Sequence, residues 1–184
     1  MTEKDDQIMA DIVLIEPTLD FEEGIGSFRQ EIIDSADKDR FAGCGDLERS
    51  LAVMDWILTV QRMSAEATCP PHKVPSSTWV AIREKDQEIV GIIELRHHID
   101  HPILSTWGGH IGYSVRPRHR RLGYASEMLK QCLEHARKRG LTHVLVTCNE
   151  DNIASEKTIL HNGGSFQSTI EVDGSRMKRY WIDL

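Results

Sequence analysis

The densest chemistry in the chain lies between positions 110 and 125, His110-Ile111-Gly112-Tyr113-Ser114-Val115-Arg116-Pro117-Arg118-His119-Arg120-Arg121-Leu122-Gly123-Tyr124-Ala125. A β-rich run ends at Val115, a basic loop follows, and a long amphipathic helix opens beyond it. The first amides of a helix have no partner inside it, and the macrodipole places positive potential there. Gly123 lets a ligand approach the backbone closely, and Ala125 keeps the next turn small. Arg116, Arg118, Arg120 and Arg121 surround that point with charge. Such a cradle suits a pyrophosphate held without a metal: amides direct it and arginines add Coulombic support. The same residues also read as a packing glycine beside a solvated loop. The run is neither a Walker A loop nor a Rossmann fingerprint, because G-x-x-x-x-G-K-[ST] and G-x-G-x-x-G are both absent.

These residues need elements to position them. Residues 11–16 form a short β-rich run stopped by Pro17. Asp20 with Glu23 marks a helix start, and Phe21, Ile25, Phe28 and Ile32 follow on one face. Asp46 opens a second predicted helix with Leu47, Leu51, Met54 and Leu58 as its stripe, running to about Ser64. Residues 68–77 carry three prolines and read as loop. Thr78–Arg83 and Glu88–Arg96 read as a hairpin, and a loop with Pro102, Gly108 and Gly109 leads to the His110–Val115 strand. Residues 122–139 give the clearest helix, with Leu122, Ala125, Met128, Leu129, Cys132, Leu133 and Ala136 on one stripe and Gly140 as its stop. Thr142–Cys148 reads as a central strand and Ile153–His161 as a short helix. Phe166–Val172 and Arg176–Ile182 flank the turn pair Asp173-Gly174. The order implies one α/β (α+β) domain over 1–184, its core at about 8–184 and residues 1–7 disordered. Its sheet is mixed and mostly antiparallel, with about 6–7 strands, about four helices and one parallel crossover through the long helix.

Arg120-Arg121-Leu122-Gly123-Tyr124-Ala125 matches [QR]-x-x-G-x-[GA] at a strand-to-helix junction. Downstream, Asn152-Ile153-Ala154-Ser155 opens a helix that ends in Asn162-Gly163-Gly164-Ser165-Phe166. In these two motifs, and in the order of elements from about residue 8 to 184, the chain resembles the GNAT superfamily of acyl-CoA-dependent N-acetyltransferases. The resemblance implies a GNAT-like fold and acetyl transfer from acetyl-CoA, as co-substrate, to a primary amine by direct attack in a ternary complex. It implies that the amides of Arg121, Leu122, Gly123, Tyr124 and Ala125, with the Arg120 and Arg121 side chains, hold the CoA pyrophosphate. The strand ending at Val115 would splay from the Thr142–Cys148 strand and pair with the pantetheine arm. A backbone N–H near Ser114 would polarise the thioester carbonyl. Asn152 would contact the pantetheine or thiol end, and Ser155 would cap the short helix.

Many relatives place a general-acid Tyr four residues after that Ser; here the position is Ile159. A thiol has a pKa near ~8.5, so its thiolate leaves tolerably without an acid. The attacking amine must be neutral, and an alkylamine has a pKa near ~10.4. His110 aligns with a Glu of the family, and an imidazole pKa near ~6.5 suits a base at neutral pH. Glu94, on the preceding strand, is the second candidate base. Either residue also reads as structural: His110 as a half-buried ring with a backbone partner, Glu94 as a surface strand position. Two alternatives stand beside acetyl transfer to an amine: a CoA-binding or regulatory module with little turnover, and an acyltransferase using another donor or a hydroxyl acceptor.

The whole-chain numbers bound the rest. The chain has 184 residues, 22 Lys plus Arg against 29 Asp plus Glu, and a net charge of −7. Residues 1–55 hold 15 acids and 5 bases, whereas residues 116–139 hold 8 bases and 2 acids. The acidic total argues against a nucleic-acid partner, while the split favours one anion site. Glu22, Glu23, Glu31, Asp34, Asp37 and Asp39 would wall an acceptor site and favour a cationic small-molecule or peptide amine; a solvated acidic face is the plainer reading. No apolar run reaches the ~18 residues of a membrane span. The charged start, Met1 to Asp6, has no signal-peptide core. The cysteines Cys44, Cys69, Cys132 and Cys148 lack C-x-x-C spacing, so reduced thiols and a cytoplasmic location are expected. His97 and His98 are neighbours on a strand and point to opposite faces, and no further cluster completes a site with His101, so no metal is expected. A homodimer stays open.

Overall fold

The computed structural model describes residues 11–35 and 41–184. The expected disorder of residues 1–7 lies outside the described residues. Among the described residues seven strands form one sheet in the order β1-β2-β3-β4-β5-β7-β6. They are β1 (Ile12–Ile15), β2 (Ser76–Arg83), β3 (Glu88–Arg96), β4 (Ile111–Val115), β5 (His143–Asn149), β6 (Ser165–Val172) and β7 (Ser175–Asp183). Every neighbouring pair is antiparallel except β4 with β5. Among the described residues there are four α-helices: α1 (Glu22–Asp34), α2 (Val53–Met63), α3 (Tyr124–Lys138) and α4 (Ile153–His161).

Helices on both sides leave the middle strands no solvent face, so β2 and β3 are almost continuously buried rather than alternating. One core lies under α1 and α2, where Ile25, Phe28, Ile32, Trp56, Ile57 and Val60 meet Val80, Ile82 and Ile92. The other lies under α3, where Met128, Leu129, Cys132 and Leu133 meet Trp79, Ala81, Ile93 and Leu95. The stripe expected on the long helix is therefore its buried face from Met128 onward. Leu122, however, precedes the helix and is exposed. The helix stops as expected: Gly140 has φ 85°, and the Leu141 and Gly140 amides donate to the Ala136 and Arg137 carbonyls, the Schellman pattern. Asp173 and Gly174 both have positive φ and turn the last hairpin.

The second helix departs from the sequence reading. It begins at Val53, not Asp46, and it buries Trp56, Ile57 and Val60. Of the expected stripe, Leu51 is 97% exposed, and Met54 and Leu58 are also exposed; only Leu47 is buried, in the turns before the helix. The indole decides the phase. Trp56 carries the largest apolar surface of the segment, and its Nε1–H donates to the Cys44 carbonyl at 2.7 Å, a bond it keeps only facing the sheet. In α1 the helix proper starts at Glu22, after a single 3-10 turn at Leu19–Phe21, and Asp20 accepts from the Thr18 hydroxyl rather than capping it.

Candidate active site

The decisive feature is a split between β4 and β5. On its other edge β4 pairs with β3 along its whole length, from Leu95↔Ile111 to Gly91↔Val115. Toward β5 only Ile111↔Val146 pairs, and the strands then part. The Arg116 amide donates to Val90 on β3. Alternation along a strand therefore turns the peptide groups of Val115 and Tyr113 the other way, into the split. A cavity of about 1140 Å³ opens there; Tyr113, Val115, Arg120, Arg121, Gly123 and Asn152 are among its walls.

The mouth of the split is the start of α3. Gly123 holds φ 85° and Arg121 holds φ 60°. The left-handed residues turn successive amides to one side, the geometry of an anion nest. Gly123 takes this conformation freely, while a non-glycine pays for it, which is why Arg121 is unusual. The Ser126 and Glu127 amides already donate back to the Gly123 carbonyl. Those of residues 121–125 have no backbone acceptor among the described residues. Five amides at a helix N-terminus, without a backbone acceptor among the described residues and beside two arginines, match the demands of a pyrophosphate.

The four arginines do not share one task. Arg116 is 2% exposed. Its Nε donates to the Ile89 carbonyl at 2.7 Å, and its two terminal nitrogens reach Glu31 and Ser27, and the Gly24 carbonyl. Arg118 pairs with Glu31 and Glu88, and His119 reaches Glu88 at 2.8 Å. Arg116 and Arg118 therefore tie the loop to α1 and β3 and do not face an anion. Arg120 and Arg121 remain on the cavity wall, with Arg120 Nε 3.2 Å from the Val115 carbonyl. The basic segment was legible as charge, but its two distant carboxylate partners were not.

The candidate bases are not at the cavity. His110 is buried, its Nδ1 accepts the Leu145 amide at 2.9 Å, and its own amide donates to the Leu145 carbonyl. Burial, with lesser contributions from His143, Arg96 and His98, lowers its pKa to about 4. The ring closes the unsplit end of the β4–β5 junction and stays neutral. Glu94 accepts from the Ser76 hydroxyl at 2.9 Å and pairs with Arg96 at 2.9 Å; it too is absent from the cavity wall. Ser114 lines the cavity but donates its hydroxyl to the Ala42 carbonyl at 2.8 Å, and alternation turns its amide toward β3. The cleft-facing amides are those of its neighbours.

The cap of α4 is Asn152 and not Ser155. Asn152 Oδ1 accepts the Ser155 amide at 3.0 Å and so caps α4, while the Ser155 hydroxyl meets the Tyr113 hydroxyl at 2.9 Å. Both residues line the cavity. Leu122 is exposed at the mouth, whereas the Tyr124 side chain is buried with its hydroxyl accepting from Arg83. At the nest Leu122 and Tyr124 present their backbone amides.

The far end of the cavity was not read from the sequence. Phe41, Ala42, Gly43, Arg96, Trp107 and Gly108 line it. Gly43 has φ 68°, and a Cβ there would sit 1.9 Å from the Gly112 carbonyl oxygen, so only glycine lets this loop lie on β4. None of Glu22, Glu23, Glu31 and Asp34 lines the cavity, and Asp37 and Asp39 lie outside the described residues. Glu31 is committed to Arg116 and Arg118. Among the described residues no group of three or more His, Cys, Asp or Glu gathers as a metal site would require, and no helix is long and apolar enough to cross a membrane.

The model of the acetyltransferase (GNAT) family matches residues 47–162, which spans the split, the nest and α4. The chain belongs to this family. The fold agrees with solved GNAT structures. A putative ribosomal-protein-serine acetyltransferase from Vibrio cholerae superposes with a TM-score of 0.66 at 16% identity, over 95% of this chain and 94% of that one. A spermidine N-acetyltransferase chimera from Vibrio cholerae and hSSAT gives 0.64 at 12% identity, over 94% and 95%. A putative acetyltransferase from Salmonella typhimurium, solved with its cofactor acetyl-CoA, gives 0.60 at 12% identity, over 95% and 94%. No curated protein sequence matches the chain. The expected GNAT fold is the observed one, and the chain is a GNAT-type acetyltransferase.

Proposed function

We propose that this acetyltransferase moves the acetyl group of acetyl-CoA to a primary amine, by direct attack in a ternary complex, as a single domain. The observation that carries this reading is the parting of β4 and β5 beyond Ile111↔Val146, with five amides at its mouth that have no backbone acceptor among the described residues. The amides of residues 121–125 and the Arg120 and Arg121 side chains receive the pyrophosphate. Val115 offers its peptide group to the pantetheine as a missing strand would. The Tyr113 amide, turned into the split, polarises the thioester carbonyl in place of the amide expected near Ser114. Asn152 keeps α4 in register along the other wall.

The amine enters between the Phe41–Gly43 loop and Trp107. Neither His110 nor Glu94 lines that path, so the amine attacks from its neutral fraction and releases its proton to water. The neutral fraction of an alkylamine falls tenfold for each pH unit below ~10.4, whereas an α-amine near ~7.7–8.0 is substantially neutral already. One solved structure of this fold is a spermidine N-acetyltransferase chimera; the described cavity wall here carries Arg96 and, among acids, Asp151.

Thiol release from acetyl-CoA over a panel of amines tests the reading. The panel holds polyamines, amino acids, peptides with free N-termini and lysine side chains, with alcohols as controls. Amine-dependent release supports it. Binding of acetyl-CoA with no release for any amine leaves the binding-module alternative, and release with alcohols alone reassigns the acceptor.

A further inference from the structure

The position where a general-acid Tyr was expected is Ile159, and it is fully buried in the core under α3. No proton donor can come from there. Two tyrosines line the cavity, Tyr113 and Tyr124. The Tyr124 hydroxyl accepts from Arg83 Nη1 at 3.2 Å, outside the split, and that side chain is buried. Tyr113 stands differently. Its phenol spans from β4 to α4 and meets the Ser155 hydroxyl at 2.9 Å. Its peptide N–H, by alternation from Arg116, faces the same split. One residue therefore presents an amide for a carbonyl oxygen and a hydroxyl for the atom next to that carbonyl. The hydroxyl is held in place, because Ser155 is itself fixed through its amide to Asn152 Oδ1 at 3.0 Å. Burial pushes the Tyr113 phenol up to about 12, so it carries its proton throughout the neutral range.

We propose that Tyr113, aligned by Ser155, is the general acid that protonates the departing thiolate. This rests on the acetyl-transfer reading above. The amine nitrogen forms its bond to the acetyl carbon, the carbon–sulfur bond breaks, and its electron pair goes to sulfur. Tyr113 Oη gives its proton to that sulfur. The phenolate takes a proton back from water, which has received the one lost by the amine nitrogen. The products are an amide and a free thiol, with no net change in protons. Ser155 donates its hydroxyl to Tyr113 Oη, which leaves the phenol's own proton free for the sulfur and stabilises the phenolate once that proton has moved.

The experiment compares wild type with Tyr113→Phe on two donors, acetyl-CoA and its selenoester analogue, using an amine the wild type acetylates. A selenol is far more acidic than a thiol, so its anion leaves without help. The single-turnover rate of Tyr113→Phe on acetyl-CoA should fall by about tenfold to 100-fold. General acids commonly contribute 10²-fold or more, and a thiolate needs one least. On the selenoester the loss should shrink to about twofold or less. The thermal shift given by acetyl-CoA should persist in the variant, showing that it folds and binds. An equal loss on both donors would make Tyr113 a positioning residue and overturn the proposal, as would no loss on acetyl-CoA. A wild type that turns over with no amine would instead overturn the acetyl-transfer reading, and this proposal with it.

Discussion

His110→Ala separates a structural imidazole from a catalytic base. In the folded chain the ring is buried, its pKa is lowered to about 4, and Nδ1 is occupied by the Leu145 amide. In the unfolded chain the pKa returns to ~6.5. Between these values the unfolded state binds the proton first, so stability is complete above pH ~6.5 and is lost as pH falls toward 4. From pH 7.5 to pH 5 this one group accounts for a loss of about 2 kcal/mol. The substitution also orphans the buried Leu145 amide and removes an edge contact with the Trp181 ring. The variant should therefore be less stable by about 2–4 kcal/mol at pH 7.5. Its further loss on moving to pH 5 should be about 2 kcal/mol smaller than that of the wild type. Urea unfolding followed by tryptophan fluorescence at the two pH values measures both quantities. The pH–rate profile of acetyl transfer should keep its shape in the variant. An acid-side stability loss identical to that of the wild type, or a rate limb near neutrality that vanishes with the imidazole, would refute the reasoning.

Five further substitutions test the other parts of the site and the phase of α2. Gly123→Glu adds a side chain at φ 85° and a negative charge at the nest, and it should abolish the rise in Tm that acetyl-CoA gives the wild type; a retained shift would remove the nest from cofactor binding. Arg116→Ala strips Glu31 of its buried partner and leaves the Ile89 and Gly24 carbonyls without their donor, costing about 3–5 kcal/mol in urea unfolding. Arg121→Ala should leave stability within about 0.5 kcal/mol and weaken acetyl-CoA by about tenfold in calorimetry, the effect of one charge-assisted bond; the reverse pattern would misassign both arginines. On α2, Trp56→Ala should cost about 3–5 kcal/mol while Leu51→Ser, at a 97% exposed position, should stay within about 0.5 kcal/mol, and equal costs would contradict the observed phase of the helix.

What could be read from the sequence was local. β3 spans Glu88–Arg96, as its β-rich pattern and charged turn predict, and α4 spans Ile153–His161 between its motif and its glycines. The nest was legible because helix start, glycine and arginines are neighbours in sequence. The splay of β4 from β5 was expected from the resemblance and is seen in their single pair. The phase of α2 was not legible, because two apolar stripes compete there and only the bond from Trp56 to Cys44 separates them. The division of labour among the arginines was hidden for a different reason. Glu31 lies 85 residues from Arg116, and no local pattern couples such positions. The acceptor end is hidden likewise, since Phe41–Gly43, Arg96 and Trp107 meet only after the sheet forms. Tyr113 is masked by its strand: alternation shows which way its amide faces, but not that Ser155 waits across the split.

A crystal structure of the protein grown with acetyl-CoA tests the central claim most directly. The account predicts the pyrophosphate on the amides of residues 121–125, and the pantetheine between β4 and β5 paired with Val115. It places the thioester carbonyl at the Tyr113 amide. Acetyl-CoA seated away from the split, or a split that stays empty at millimolar acetyl-CoA, would contradict it.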